Sequence, residues 1–231
     1  MKKRFLVMIL VLALLLAGCG TKSRGEVSGK LEETPVAETV EEAAPARMGV
    51  MEGGTYTNTY TGYGFTLGSD WTIYGAEELQ DLPDMIQDQV AGTELGDYME
   101  GMEEFNDVMA ENMETFTSIN VLYQKQSLET RLGNAILSER ELVEGVLEMQ
   151  DEMMEAYAQA GIAVAYMEAV EVTFLGQTRV ALRTVSEVEG IPYYTLQLFD
   201  NDLGSYAVTL TLGSFLEDNT ESLLELFYPV N

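Results

Sequence analysis

Apolar positions divide this chain into stretches of different texture. Phe5 to Leu16 are twelve consecutive apolar residues behind Lys2, Lys3 and Arg4. Residues 20–54 hold no aromatic residue and no sustained periodicity, and they mix Gly, Pro, Glu, Ser and Thr in the manner of a flexible tether. From Thr55 the chain alternates. "TYTNTYTGYGFTLGSDWTIYG" interleaves Tyr, Phe and β-branched residues with Gly and with Gly68-Ser69-Asp70, which predicts short strands joined by hairpins. Over Ala76 to Glu114 the spacing becomes helical. Glu77, Leu79, Leu82 and Ile86 predict one helix, and Tyr98, Met102, Phe105, Met109 and Met113 a second, with a break over Gly92 to Gly96. Thr115 to Lys125 returns to strand alternation, with Phe116, Ile119, Val121 and Tyr123 as its large apolar residues.

Ser138 to Gly161 is the longest helical stretch. Ser138 is a good N-cap with Glu141 three residues on, Val143, Val146, Leu147, Met153, Met154 and Tyr157 form a buried stripe, and Gly161 ends it. Strands follow over 163–175, 178–188, 191–199 and 206–212. Gly176-Gln177, Glu189-Gly190 and "DNDLGS" provide the tight reversals of an antiparallel meander. A closing helix is expected from Asn219 to Tyr228, ending at Pro229. Strands flanked by helices at both ends of this order predict one α+β domain over residues 55–231. The expected architecture is an α/β/α sandwich with a mainly antiparallel sheet flanked by helices.

The first stretch gives an address. Spanning a bilayer takes about 20 apolar residues, so the run before Ala17 suits a signal segment better than a membrane span. Leu16-Ala17-Gly18-Cys19 resembles the lipobox of bacterial lipoproteins. The resemblance implies that residues 1–18 are a signal peptide recognised through Leu16, Ala17 and Gly18. It also implies that the Cys19 thiol carries a diacylglycerol and that Cys19 becomes the new N-terminus. The expected location is the extracytoplasmic face of a bacterial cell membrane, held by the lipid. Residues 19–54 would then be the lipidated cysteine and its tether, with a reach of roughly 30–35 Å as a random coil. Lys22, Arg24 and Lys30 would rest on anionic headgroups while the domain stands off.

Charge and missing residue types narrow the chemistry. Residues 1–54 hold as many basic as acidic residues, so the net charge of −27 falls wholly on residues 55–231. That field repels nucleic acid. The chain has no His, which removes triads, imidazole proton shuttles and most zinc or copper sites. Cys19 is the sole cysteine, so acylation would leave no thiol for catalysis or an internal disulfide. Lys125, the only lysine past residue 54, reads as a solvated strand-edge residue. Carboxylate chemistry remains, as in a hydrolase acting on a cell-wall or sugar substrate. It would need two acids roughly 5–10 Å apart in a cleft. Trp71, the single tryptophan, is expected to be buried on a strand.

Three further patterns have a functional and a structural reading. Met99, Met102, Met109 and Met113 suit a soft partner surface or an ordinary helix core. Glu77-Glu78, Glu103-Glu104 and Asp151-Glu152 suit weak Ca²⁺ association or a solvated acidic face. Tyr56, Tyr60, Tyr63, Tyr74, Tyr193 and Tyr194 suit a shallow binding surface or sheet packing. No dedicated cofactor or metal site is expected.

The order of these elements also resembles PsbP-like (Mog-type) domains, whose opening pattern is matched by Gly62, Tyr63, Phe65, Leu67 and Trp71. The resemblance covers most of residues 55–231 and implies a PsbP-like fold, with the long acidic segment 76–114 departing from the pattern. Such domains serve unrelated roles, so it implies no functional residue. The expectation is a lipid-anchored, non-catalytic binding or accessory module whose partner is an envelope protein, a peptide or a cationic ligand.

Overall fold

The computed structural model describes residues 48–79, 104–127, 130–131, 133, 136–159, 161–201 and 204–230. Its strands are β1 (Val50–Glu52), β2 (Thr55–Asn58), β3 (Tyr63–Thr66), β4 (Trp71–Tyr74), β5 (Glu104–Asn112), β6 (Thr117–Lys125), β7 (Ile162–Phe174), β8 (Gln177–Val188), β9 (Ile191–Asp200), β10 (Tyr206–Phe215) and β11 (Phe227–Pro229). They form a seven-stranded sheet in the order β4-β5-β6-β10-β9-β8-β7 and a four-stranded sheet in the order β1-β2-β3-β11. Every pairing is antiparallel. The helices are α1 (Ala76–Leu79), α2 (Glu139–Leu147), α3 (Gln150–Gln159) and α4 (Thr220–Leu223), the last followed by a 3-10 turn over Leu224–Leu226.

Turn chemistry sets the register of the meander. Leu175 and Gly176 have φ of 52° and 77°, and Glu189 and Gly190 have 52° and 79°. Two successive positive φ values make a turn whose twist matches its strands, so Phe174 faces Gln177 and Val188 faces Ile191. The first reversal therefore falls at Leu175-Gly176, one residue before the predicted pair. The predicted long helix is two helices meeting at Glu148-Met149. Its capping box is present, with the Ser138 hydroxyl accepting from the Glu141 amide while the Glu141 carboxylate accepts from the Ser138 amide at 2.7 Å. Gly161, at φ +81°, ends the segment.

Four expectations give way to tertiary context. Residues 104–112 form a strand, not a helix. β5 lies between β4 and β6, and a strand whose two faces are both covered need not alternate strictly. A bulge between Asn106 and Val108 puts Phe105 and Met109, four residues apart, on opposite faces and so mimics a helical stripe. The closing helix is shorter than expected, because Phe227 leaves it to pair with Phe65 of β3 and packs edge-on against Tyr63, Phe65 and Phe174. Residues 48–54, assigned to the tether, belong to the fold: β1 pairs with β2 through a turn at Gly53-Gly54. Lastly, the sandwich is not helix on both sides.

One core cluster joins Leu79, Val143, Val146, Met153 and Tyr157 of the helices to one face of the large sheet. A second joins Tyr56, Tyr63, Phe65 and Phe227 of the small sheet, with Leu223 and Leu224, to its other face. The layers are thus helices, large sheet and small sheet. The α+β class stands, with a second sheet in place of one helical layer. Arg179 pins the helical layer by pairing with Glu139 at the start of α2 and with Asp200 at 2.8 Å.

Candidate functional site

The central strands carry different chemistry on their two faces. Toward the small sheet, β6, β9 and β10 present Ile119, Val121, Leu196, Leu198, Leu210 and Leu212, all at most 1 % exposed. Toward the helices the same strands present buried polar residues, Ser118, Asn120, Thr195, Gln197 and Thr211, beside the core residues Leu122, Tyr193 and Phe215. One register row crosses the sheet as Glu111, Ser118, Gly213, Thr195 and Thr184. The next runs Met109, Asn120, Thr211, Gln197 and Leu182. Paired residues in an antiparallel sheet share a face, so these rows form one polar floor spanning about 19 Å from β5 to β8 at the usual strand spacing. Among the described helices, α1 packs on β5, and α2 and α3 pack on β7 and β8.

Many of the floor's polar atoms have no protein partner. Both ends of the Asn106 and Asn120 amides are buried without a hydrogen bond, as are the Thr184 and Thr195 hydroxyls, Gln197 Oε1 and Glu111 Oε1. Gln197 Nε2 donates to Thr211 Oγ1 at 3.0 Å, which holds its amide in plane with the next strand. The Glu111 carboxylate accepts from the Tyr74 hydroxyl at 3.1 Å through its other oxygen. Burial pushes the Glu111 carboxyl up, only partly offset by that hydrogen bond. Burial and the adjacent Glu111 push the Tyr74 hydroxyl up to about 12. Gly213 matters for clearance, since a Cβ there would stand 2.5 Å from Ser118 Oγ and 2.6 Å from the Tyr193 hydroxyl.

Among the described residues, buried carboxylates are confined to β5 and do not converge. Asp107, in the bulge, points to the small-sheet side and accepts from the Met48 and Gly49 amides at 2.8 Å each, from the Tyr56 hydroxyl, and from Asn58 Nδ2 at 3.3 Å. Gly49 is required there because a Cβ would sit 2.3 Å from the Tyr56 ring. Glu111 points to the opposite side. Glu104 shares the Glu111 face, and burial pushes its carboxyl up to about 7, but it lies about 20 Å along the strand.

The sequence-predicted candidates fare unevenly. Leu16, Ala17, Gly18 and Cys19 lie outside the described residues, as do Leu82, Ile86, Tyr98, Met99, Met102 and Glu103. Met109 is fully buried in the core and Met113 is exposed in the β5–β6 turn, so those two share no partner surface. Tyr56, Tyr63 and Tyr193 are core residues, at most 1 % exposed, which removes the shallow tyrosine surface. Trp71 is half-buried on β4, less covered than expected. Lys125 ends β6, which lies inside the sheet between β5 and β10, so it guards no edge. Among the described residues no group of three acids converges as a metal site would require.

The polar floor is not among the sequence-predicted candidates. Its signal is the polar alternates of "TSINVLYQ", "YTLQLF" and "YAVTLTL" in strands expected to be covered on both faces, which leaves those residues no solvent to face.

No family model and no curated protein matches the chain. Among solved structures it is similar to the solution structure of cyanobacterial PsbP (CyanoP) from Synechocystis sp. PCC 6803. Identity is 14 %, the match covers 76 % of this chain and 91 % of that one, and the TM-score is 0.41. A likeness of this depth carries no argument about ligand or partner.

Proposed function

We propose that this chain is a lipid-anchored protein of the extracytoplasmic face of a bacterial membrane, carrying a PsbP-like, non-catalytic binding domain. The anchor rests on Leu16-Ala17-Gly18-Cys19 behind its apolar run. The binding role rests on one observation, the buried polar floor on which the Asn106 and Asn120 amides, the Thr184 and Thr195 hydroxyls and Gln197 Oε1 lack protein partners. An unpaired buried polar group costs about 1–3 kcal/mol, and several together rival the net stability of a whole domain. A chain that lines the other face of the same strands with Val, Ile and Leu has the means to avoid that cost.

The hydrolase reading is weaker on geometry. A glycosidase needs two carboxyl groups within roughly 10 Å of each other in one cleft. Glu104, Asp107 and Glu111, the carboxylates on the described strands that are buried or raised by burial, are split between two faces or separated along the strand. The strongly negative surface would favour cationic partners at the rim, and an envelope protein or peptide could meet the domain there.

Native mass spectrometry of the full chain, released gently from its own membranes, tests the binding reading. The expected spectrum shows a small molecule of defined mass that disappears in Asn120→Leu. A spectrum holding only the acylated protein and lipid contradicts it.

A further inference from the structure

We propose that the outer edge of β7 takes up an extended, cationic segment of another protein as an eighth strand of the large sheet. This goes beyond the reading above and does not rest on the polar floor. A strand at the edge of a sheet presents a row of unpaired backbone donors and acceptors, and proteins keep such edges short, kinked or charged. The two sheets have four edges. β1, β11 and β4 close three of them with three, three and four residues. β7 closes the fourth with 13 residues, about 43 Å at the usual rise per residue. It holds no Pro and no Lys, and its bulge, between Val164 and Tyr166, leaves Tyr166 to Phe174 in unbroken register with β8. Among the described strands, none pairs with its other side.

Charge selects the occupant. Paired residues share a face, so Glu168, opposite Arg183 and through it Leu196, lies on the small-sheet side. Glu171, three residues on, lies on the helical side, where it accepts from Arg140 of α2 at 2.7 Å. Both glutamates are exposed. Arg183 stands among three carboxylates, Glu168 at 3.9 Å, Asp218 at 3.7 Å and Glu221, so negative charge is in surplus beside the strand. On the other face α3, which packs on β7, exposes Asp151, Glu152 and Glu155 and carries no basic residue. An acidic strand, or a second copy of a domain carrying −27, would be repelled here. A strand with Lys or Arg three positions apart would meet Glu168 on one face and Glu171 on the other.

Apolar contact lies beside the charge. Tyr166, 49 % exposed, shares a register row with Val185 and Tyr194, both half-buried, so this row is not closed over by the small sheet. Ala169 and Val170 are half-buried farther along the strand. Main-chain hydrogen bonds would hold the incoming segment, while these side chains and the two glutamates would set its register and its sequence.

Peptide titration and hydrogen–deuterium exchange of the full chain in detergent test the proposal. The first probe is an eight-residue Val/Thr peptide with two lysines three positions apart. The second carries glutamates in their place, and the third is the lysine peptide with every backbone nitrogen methylated. The expected result is saturable binding of the first, on the order of tenfold tighter than either of the others, with slowed exchange confined to β7. Glu168→Lys combined with Glu171→Lys should reverse the preference toward the glutamate peptide, a gain that a misfolded chain would not show. The milder pair Glu168→Gln and Glu171→Gln should bind both unmethylated peptides alike. A preference unchanged in both double variants overturns the placement on β7. Equal binding of the methylated and unmethylated lysine peptides reduces the attraction to charge and overturns strand addition, as does protection elsewhere or no binding at all. Slowed exchange over β7 that grows with protein concentration in the absence of peptide assigns the edge to a second copy and overturns the cationic partner.

Discussion

Asp107 shows how much one residue can decide. Its carboxylate gathers two backbone amides, a tyrosine hydroxyl and the Asn58 side chain, and so fastens the segment from Met48 onto β5. Asp107→Ala leaves those donors buried and unpaired. We expect a loss of about 2–4 kcal/mol in chemical denaturation, with faster proteolysis confined to residues 48–52. Nothing in "EFNDVMAEN" marks Asp107 apart from the other acids, because its partners are 49 to 59 residues away in sequence. Glu104 gives a pH signature. Its folded carboxyl titrates near 7, above the ordinary value of 4.5, so the folded state holds the proton longer than the unfolded one. Stability from this group is complete below pH about 4.5, falls as pH rises toward 7, and is gone above it. Glu104→Gln should flatten that slope by on the order of 1–3 kcal/mol once partial exposure is allowed for, as read by denaturation at pH 4.5 and 7.5.

At the scale of elements, legibility follows locality. The four-strand meander, the Ser138–Glu141 capping box and the Gly161 stop depend on residues close in sequence, and all were readable there. Ser138→Ala should cost about 1 kcal/mol in an unfolding titration, since it frees an orphan amide at the start of α2. β5 was misread because its partners are remote and a bulge disguises its period. β11 reads as helix because three residues, Phe227–Pro229, are too few for a periodicity and their strand partner, β3, is remote in sequence. The polar floor needed both steps: strand alternation, which the sequence carries, and the covering of both faces, which only the packing of helices and second sheet supplies.

For the whole molecule, our proposal separates an anchoring end from an acidic globule. No helix among the described residues is long and apolar enough to cross a membrane. Attachment in our proposal rests on Cys19. Cys19→Ser should move the chain from the membrane fraction to the soluble fraction and abolish incorporation of a labelled fatty acid. Retention of both would remove the anchor from the proposal without touching the sheet.

The most direct test of the binding site is high-resolution diffraction density over Asn106, Asn120 and Gln197, from full chain purified from its own membranes in buffers free of sugars and polyols. The proposal predicts continuous density for one small molecule with polar groups within hydrogen-bond distance of both asparagine amides. Isolated waters at full occupancy on those same atoms, with no connected density between them, would contradict it.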